Sequence, residues 1–386
     1  MRFQRMARVT IAAAVIALAA AGCGGGGSSG GGSGGGKVDY ASCKYQIGFF
    51  GALTGDAANL GINIRNGAKL AIDQYNAKAK DCVGLVEFDS QGVPEQAPPL
   101  ARKAATDKRV LGIVGPAFSG ESDVADPTFE QAGLPTITAS ATNPKLADHG
   151  WKTFHRILGN DATQGPAAAA YITGTLKAKK VFVVDDASAY GKGLATLVKA
   201  KLGSALAGTD TVQQKQTDFS ATVTKIRASG ATAFFYGGYY AEAGKLRKQL
   251  SDAGGKGIMM VAADGVKDPG FVQAAGRAAA EGTIVTCPCL PPSKTKGTFA
   301  ADYQKAFKIA PGTYSGEAFD AASVFLRAIE GGKTTRAAVN AFITAYRGDG
   351  VTKTVQFDAK GEVTDKVIWA YKVTGGNIVE DQEVAQ

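Results

Sequence analysis

The feature that most constrains the fold of this chain is an alternation between short apolar segments and longer amphipathic ones, beginning at Tyr45. The short segments are apolar almost throughout, which is typical of strands covered by helices on both faces of a sheet. The predicted strands cover residues 45–51, 85–89, 110–115, 136–139, 180–185, 233–237 and 257–263. The predicted helices between them cover residues 63–78, 95–106, 163–177, 193–206, 219–228 and 242–253. This alternation predicts an α/β fold with parallel sheets and right-handed crossovers.

The same strand–helix rhythm starts again after residues 151–156, and no flexible segment separates the two halves. Such a restart indicates two similar lobes joined by ordered strands. A strand at 282–287 follows, then helices at 299–307, 316–330 and 335–346 and a final pair of strands at 354–358 and 366–373. If these late helices rejoin the first lobe, the chain crosses between the lobes three times.

The first 36 residues do not have the composition of a folded domain. Three arginines precede an apolar run at 9–21, which is shorter than the roughly 20 residues that span a bilayer. This order is typical of an export signal, and its end, Leu-Ala-Ala-Ala-Gly-Cys at 18–23, resembles the lipobox of bacterial lipoproteins. In lipoproteins the cysteine carries the lipid, which points to Cys23. Ala20 departs from the leucine that is commoner there, and an ordinary signal cut elsewhere is the alternative.

Residues 24–36 contain only glycine and serine, a composition that predicts a flexible tether with a reach of about 20 Å. We therefore predict a signal peptide at 1–22, a lipidated Cys23 and a tether within 23–43. The folded part is predicted to be exported and anchored by that lipid to the outer face of the cytoplasmic membrane, or to its periplasmic side.

Charge and motifs argue against several functional classes. The formal net charge of +9 is spread along the chain without a block of like charges, which does not favour nucleic-acid binding. The two histidines, His149 and His155, belong to no recognisable nucleophile or metal motif. The segment Gly-Gly-Lys-Thr at 331–334 follows a helix end and lacks the first glycine of a phosphate-binding loop. We predict no catalysis, no cofactor and no metal site.

Four cysteines remain beside Cys23, and disulfides are the default in an exported protein. Cys43 precedes the first predicted strand and Cys82 the second, and neighbouring parallel strands start at the same sheet edge. We therefore predict a Cys43–Cys82 bridge. Cys287 and Cys289 flank Pro288 and either form a tight local ring or stay reduced.

Polar side chains follow several predicted strands at their carboxyl ends, where open parallel sheets bind ligands. Ser119 is predicted to be the N-cap of the helix that follows residues 110–115, and a helix N-terminus favours a carboxylate. The other residues in such positions are Thr142, Tyr190, Tyr239, Tyr240 and Asp264. One lobe thus offers hydroxyls and a helix start for an anion, and the other offers aromatic rings and a carboxylate for a cation. A small zwitterion between the lobes satisfies both.

At these positions the sequence resembles the Leu/Ile/Val-binding family of periplasmic solute-binding proteins, from about residue 45 to 374. Seven short motifs in family order carry the resemblance: Gly51-Ala-Leu-Thr-Gly55, Asn66-Gly-Ala68, Ala141-Thr-Asn-Pro144, Gln164-Gly-Pro166, Tyr190-Gly-Lys-Gly-Leu194, Asp218-Phe-Ser220 and Tyr236-Gly-Gly-Tyr239. The resemblance implies the type I fold, two doubly wound lobes joined by three hinge strands that close over one amino acid. We accordingly predict an N-terminal lobe of 44–158 plus 287–365 and a C-terminal lobe of 159–286 plus 366–386.

The resemblance also assigns roles within the site. Ser119 and Thr142 would bind the ligand carboxylate, with help from the backbone at Ser140 and Ala141. Thr142, Asp264 and the ring of Tyr239 would hold the ammonium. Tyr190 would cover the ligand, while Phe118 and Tyr314 would touch its side chain.

Two positions depart from the family pattern, since Asp264 stands where glutamate is frequent and Leu60 where an aromatic residue is common. The amino-acid head-group site is therefore expected to be kept and the side-chain pocket altered. The resemblance implies a monomeric binding component of an ABC importer that delivers a branched-chain amino acid to a membrane permease, and an aromatic or other neutral amino acid is the alternative ligand. A ligand sensor for a membrane receptor, with the same binding chemistry, is the alternative.

Overall fold

The computed structural model describes residues 38–384. The predicted signal peptide, the lipid on Cys23 and the Gly/Ser tether lie outside these residues and stay predictions. Among the described residues, no helix combines the length and the apolarity needed to cross a membrane.

The first sheet contains five parallel strands in the order β2-β1-β3-β4-β5. They are β1 (Tyr45–Gly51), β2 (Val83–Asp89), β3 (Val110–Val114), β4 (Thr136–Thr138) and β5 (Phe154–Arg156). Because β1 pairs in register with β2, the residues before both strands are adjacent, and the predicted Cys43–Cys82 disulfide is confirmed.

The second sheet contains seven strands in the order β14-β13-β10-β9-β8-β6-β7. They are β6 (Val181–Asp185), β7 (Leu206–Thr211), β8 (Ala233–Gly237), β9 (Met259–Ala262), β10 (Ile284–Cys287), β13 (Trp369–Thr374) and β14 (Asn377–Glu383). β13 runs antiparallel to both of its neighbours, whereas β6 to β10 are parallel. Cys287 and Cys289 form the local disulfide at the end of β10.

Helices connect and cover these strands. They are α1 (Ala58–Asn76), α2 (Ala97–Thr106), α3 (Ser119–Gln131), α4 (Lys145–Asp148), α5 (Asp161–Ala170), α6 (Ala189–Leu202), α7 (Ser220–Ala228), α8 (Tyr240–Leu250), α9 (Pro269–Ala275), α10 (Arg277–Ala280), α11 (Phe299–Phe307), α12 (Ser315–Glu330) and α13 (Arg336–Thr344). The last three pack on the first sheet and its helices, with Phe325 of α12 lying over Gly112 of β3. The chain therefore passes between the sheets after β5, after β10 and again before β13, while the predicted lobe boundaries stay predictions.

The two final strands predicted at 354–358 and 366–373 are present as β12 (Thr354–Gln356) and β13, and β12 forms a separate hairpin with β11 (Arg347–Asp349). One prediction from the sequence is wrong in detail. Ser119 is not an N-cap, because α3 begins at Ser119 and Phe118 is the extended residue before it. The side chain of Glu121 satisfies the amide N–H of Phe118 at 3.3 Å, which fixes the helix start one residue earlier than predicted.

Candidate functional site

A cavity lies between the two sheets, at the carboxyl ends of their strands. The residues that line it come from both halves of the chain: Leu60, Ile64, Ala117, Phe118, Ser119, Ser140, Tyr190, Tyr239, Asp264, Gly265 and Tyr314. Seven of the nine predicted site residues are among them. The other two, Ala141 and Thr142, are buried next to Ser140 in the loop after β4 and do not line the cavity surface.

Hydrogen-bond donors without partners lie at one wall of the cavity, at Ser119, and just behind it, at Thr142. Ser119 begins α3, so its amide N–H has no carbonyl of the preceding turn to bond, and its Oγ accepts the amide of Asn143 at 3.2 Å. Among residues 38–384, the amide N–H of Thr142 has no hydrogen-bond partner, and its buried hydroxyl has none either. Unpaired donors beside a helix N-terminus are suited to a carboxylate.

The opposite wall is organised around Asp264, which follows β9 and is fully enclosed. Its two oxygens accept the hydroxyls of Tyr190 and Tyr314, each at 2.6 Å, and the amide of Gly265 donates to the Tyr190 oxygen at 3.0 Å. Burial raises the pKa of Asp264, and the two tyrosine hydroxyls oppose that rise. The carboxylate is therefore held in place by neutral donors and has no cationic partner among the described residues.

Asp161 does not line the cavity surface, but it is a further candidate for the site that the sequence analysis missed. It is the first residue of α5, it is completely buried, and neither of its carboxylate oxygens has a hydrogen-bond partner within the described chain. Burial raises the pKa of Asp161 well above its usual range, and the nearby charge of Asp264 raises it further. Its position just past the end of β5, at the edge that carries Thr142, is the sequence signal that could have identified it.

Asp264 and Asp161 are two buried carboxyl groups that interact with each other, and neither has a hydrogen-bonded cation among the described residues, although the charge of Arg156 acts on Asp161. An isolated charge in such surroundings is costly, so the groups either hold a proton or pair with an incoming positive group. The cavity thus has a donor-rich wall for an anion and an acceptor-rich wall for a cation.

Aromatic and aliphatic side chains form the rest of the enclosure. The ring of Tyr239 contacts those of Tyr190 and Phe118, with centroid distances of 5.3 and 5.5 Å. At another side, Leu60 and Ile64 of α1 present aliphatic surface to the cavity. This part of the cavity is suited to an apolar group of modest size.

Several hydrogen bonds join the two halves around the cavity. The side-chain amide of Asn143 donates to the carbonyl of Ala189 at 2.8 Å, and the side-chain amide of Asn59 donates to the carboxylate of Asp268 at 2.9 Å. The hydroxyl of Thr313 donates to the carbonyl of Lys267. The Tyr314–Asp264 hydrogen bond is a fourth contact between the two halves.

The histidines lie away from this chemistry. His155 is buried below the loop after β4, where burial lowers its pKa to about 4, and Nδ1 lies 3.3 Å from the carbonyl oxygen of Thr136. His149 stacks on Trp151 with a ring distance of 4.2 Å. No group of histidine, cysteine or acidic side chains suited to a metal ion occurs in the described part of the chain.

The buried Glu121 beside the cavity predicts a pH dependence of stability. Burial raises its pKa from 4.5 to about 8, so the folded protein keeps a proton that the unfolded chain releases between these values. Its contribution to the free energy of unfolding is complete below about pH 4.5 and is lost as the pH rises through 8. Glu121→Gln is expected to lose less stability between pH 5 and 8, by on the order of 1 kcal/mol per pH unit, in urea denaturation.

Glu130→Gln is the matched control for this experiment, because Glu130 lies on the same helix and has a lowered pKa. Glu130 is therefore ionised in both states over this pH range, and its removal should leave the slope of stability against pH unchanged. Equal slopes for the wild type and Glu121→Gln would contradict the assignment of the proton to Glu121.

Comparisons with known proteins show which family this chain belongs to. A sequence family described as periplasmic binding protein matches residues 44–377. The Leu/Ile/Val-binding protein BraC3 of Rhizobium johnstonii is 32% identical over 343 residues, which are 86% of this chain and 92% of that protein. A leucine-, isoleucine-, valine-, threonine- and alanine-binding protein of Pseudomonas aeruginosa is 32% identical over 327 residues, covering 82% and 87% of the two chains.

Among solved structures, the branched-chain amino acid transporter substrate-binding protein LivJ of Streptococcus pneumoniae, in complex with isoleucine, is similar to this chain. The TM-score is 0.81 at 26% sequence identity, and the match covers 88% of this chain and all of that protein.

Proposed function

Because the chain belongs to the periplasmic binding protein family, we propose that it is the extracytoplasmic solute-binding component of an ABC importer that captures a free amino acid. The resemblance seen in seven short motifs and the predicted type I fold are confirmed by the same matches. The amino-acid ligand, the importer and the roles of individual residues are the proposal.

The observation that carries the proposal is the polarity of the cavity. The ammonium group of the ligand lies against Asp264 and Asp161, and its carboxylate takes the free N–H groups at Ser119 and Thr142. Each ligand charge then replaces a missing partner of a buried protein group, so both desolvation costs are offset at once. An uncharged sugar or a simple cation would satisfy one wall and leave the other unpaired.

The side chain of the ligand is proposed to be branched and aliphatic. It packs against Leu60, Ile64 and Phe118, and the ring of Tyr314 lies beside it. The hydroxyl of Tyr314 already donates to Asp264. Both relatives described above are named as binding proteins for leucine, isoleucine and valine, and the one from Pseudomonas aeruginosa also for threonine and alanine, which supports this choice.

We further propose binding without catalysis and without a cofactor. The cavity residues comprise tyrosines, serines, one aspartate and apolar groups, and the described histidines are elsewhere. Neither serine of this set has a general base in hydrogen-bond contact, because Oγ of Ser119 accepts the backbone N–H of Asn143 and Oγ of Ser140 donates to the carbonyl of Ala117.

Ligand binding is proposed to act through closure of two lobes, 44–158 plus 287–365 and 159–286 plus 366–386. The ligand contacts side chains from both lobes, so its affinity for the closed form exceeds that for either lobe alone and shifts the equilibrium toward closure. The closed monomer then presents both lobes to a membrane permease. A lipid on Cys23 would keep the protein beside that permease. A sensor for a membrane receptor is the alternative use of the same closure.

A thermal-shift screen of the purified protein against the twenty amino acids, with sugars and adenine nucleotides as controls, tests this proposal. A ligand at 100 times its Kd adds about 2.7 kcal/mol to the free energy of unfolding, which raises Tm by about 5 to 10 °C. We expect shifts with leucine, isoleucine or valine and none with the controls. Shifts confined to aromatic or charged ligands would overturn the branched-chain assignment, and no shift with any amino acid would overturn the function.

A further inference from the structure

We propose that Arg156, together with Glu362, is a positioning residue that holds the loop after β4 so that the Thr142 amide faces the ligand carboxylate. The proposal rests on the amino-acid site described above. Arg156 has no contact with the cavity, since it lies behind the loop and is fully buried. Its function follows from the acceptors to which its five guanidinium N–H groups donate.

The guanidinium of Arg156 fixes the loop at two backbone carbonyls, one on each side of Thr142. Nη1 donates to the carbonyl of Ala141 at 2.8 Å and to the carbonyl of Asn143 at 2.9 Å. In a trans peptide the C=O and the following N–H point in opposite directions. Because the Ala141 carbonyl points at Arg156, the Thr142 N–H in the same peptide unit points away from it. That N–H is the one that lacks a partner in the described structure.

The remaining contacts stop the loop from turning over. The carbonyl of Thr142 accepts the amide of Asp161 at 2.9 Å, and the hydroxyl of Ser140 donates to the carbonyl of Ala117 at 2.7 Å. With these carbonyls bonded on the protein side, a rotated loop would leave several buried acceptors unpaired. The loop is therefore held with its donor toward the ligand before the ligand arrives.

Glu362 completes the arrangement from another part of the chain. Nε of Arg156 donates to Oε2 of Glu362 at 3.1 Å, Nη2 donates to Oε1, and Asn160 donates to the same carboxylate at 3.1 Å. This bidentate pair neutralises the guanidinium, so Arg156 acts through geometry and not as a counter-ion for the ligand. The pair also links the first passage between the sheets, at the end of β5, to the last one, which contains Glu362.

Backbone contacts strengthen the same link. The amide of Arg156 donates to the carbonyl of Gly361 at 2.8 Å, and the amide of Val363 donates to the carbonyl of Arg156 at 2.9 Å. The carboxylate-binding loop is thus attached to the segments about which the lobes would rotate. A rotation of these segments would therefore move the loop, and a displacement of the loop would move the segments.

The test compares Arg156→Lys with a matched control, Arg336→Lys. Arg336 of α13 also donates its guanidinium hydrogens to backbone carbonyls of the first sheet's lobe, including those of Val110 and Asp107, at the sheet edge opposite to the cavity. Lysine keeps the charge in both variants and removes the forked geometry. Isothermal titration measures the affinity for leucine and for leucinamide, which lacks the carboxylate charge.

If Arg156 positions the carboxylate site, Arg156→Lys weakens leucine binding about tenfold or more while leucinamide binding changes by less than about threefold. The ratio of the two affinities then falls, whereas Arg336→Lys leaves the ratio unchanged even if it lowers Tm. Equal losses for both ligands in Arg156→Lys would show a general structural role and overturn the proposal. Wild-type protein that binds no amino acid would instead overturn the proposed function.

Hydrogen exchange on the ligand-free protein tests the positioning without any ligand. Arg156→Lys is expected to accelerate exchange of the peptide that contains residues 138–144, and Arg336→Lys is not. Should Arg156→Lys fail to fold, Glu362→Gln is the second variant, because it keeps the two guanidinium–carbonyl bonds and weakens only their support. Unchanged exchange in this loop in whichever variant folds would overturn the proposal.

Discussion

Asp264→Asn is expected to weaken the binding of the amino-acid ligand by about 30- to 700-fold, corresponding to about 2 to 4 kcal/mol. The substitution keeps the size and one acceptor oxygen for the tyrosine hydroxyls of Tyr190 and Tyr314, but it removes the charge that faces the ligand ammonium. Asp161 then remains as the single acidic partner, and an N–H donor replaces one acceptor. An ammonium group buried beside that donor is poorly paired, which is why the expected loss is large.

Calorimetric titration with leucine and with its 2-hydroxy analogue, which lacks the ammonium, measures this effect. Binding of the hydroxy acid should change little in Asp264→Asn, because the lost attraction concerns the ammonium alone. Asp252→Asn is the control, since Asp252 is an exposed acid of the same half of the chain, paired with Lys248 on the surface. Equal losses for both ligands in Asp264→Asn would mean that the variant distorts the cavity and that Asp264 is not the cation partner.

The fold could be predicted largely because its strands are buried on both faces. β1 and β8 match their predicted bounds, since long apolar runs between helices leave few alternatives. The edge strands β7 and β14 were missed because they are not buried on both faces. Residues 206–211 contain glycine, threonine and aspartate, and most of 377–383 is exposed, so neither carries a continuous apolar signal. Strand pairing at the chain's end depends on contacts between distant segments, which periodicity does not report.

The site could be predicted as a set of positions but not as a set of contacts. The ends of parallel strands meet at one sheet edge, so Ser119, Tyr190 and Asp264 were identifiable from where they follow strands. The hydrogen bond between Tyr314 and Asp264 was not, because the two residues belong to different halves and meet only through tertiary packing. Asp161 was missed because an acidic residue at the start of a helix is ordinarily explained by the helix dipole.

The unpaired polar groups of the site determine how we expect it to respond to a ligand. The enclosed carboxyl of Asp161, the Thr142 N–H and the Thr142 hydroxyl all lack hydrogen-bond partners among the described residues, and burying such groups unpaired is costly. The proposed zwitterionic ligand would offset that cost. The affinity of the site therefore depends on how rigidly α12 and α1 hold Tyr314 opposite Asp264.

Gly67→Ala tests that dependence and is expected to lower the free energy of unfolding by about 2 kcal/mol or more. Gly67 lies in the buried face of α1, where a Cβ atom would come within 2.1 Å of the carbonyl oxygen of Ser315, the first residue of α12. The neighbour is backbone, so the helices must separate. Alanine gains at most about 1 kcal/mol in helix propensity, which is too small to offset this overlap.

The same displacement reaches the ligand site, because Tyr314 immediately precedes α12 and donates to Asp264. Urea denaturation and leucine titration of Gly67→Ala should therefore both show losses. Gly174→Ala is the control, since no atom lies within 4 Å of a Cβ at that helical position and the change should be neutral or slightly stabilising. A Gly67→Ala protein as stable as Gly174→Ala would mean that α1 and α12 can separate freely. Lost stability with unchanged affinity would mean that Tyr314 is held independently of α12.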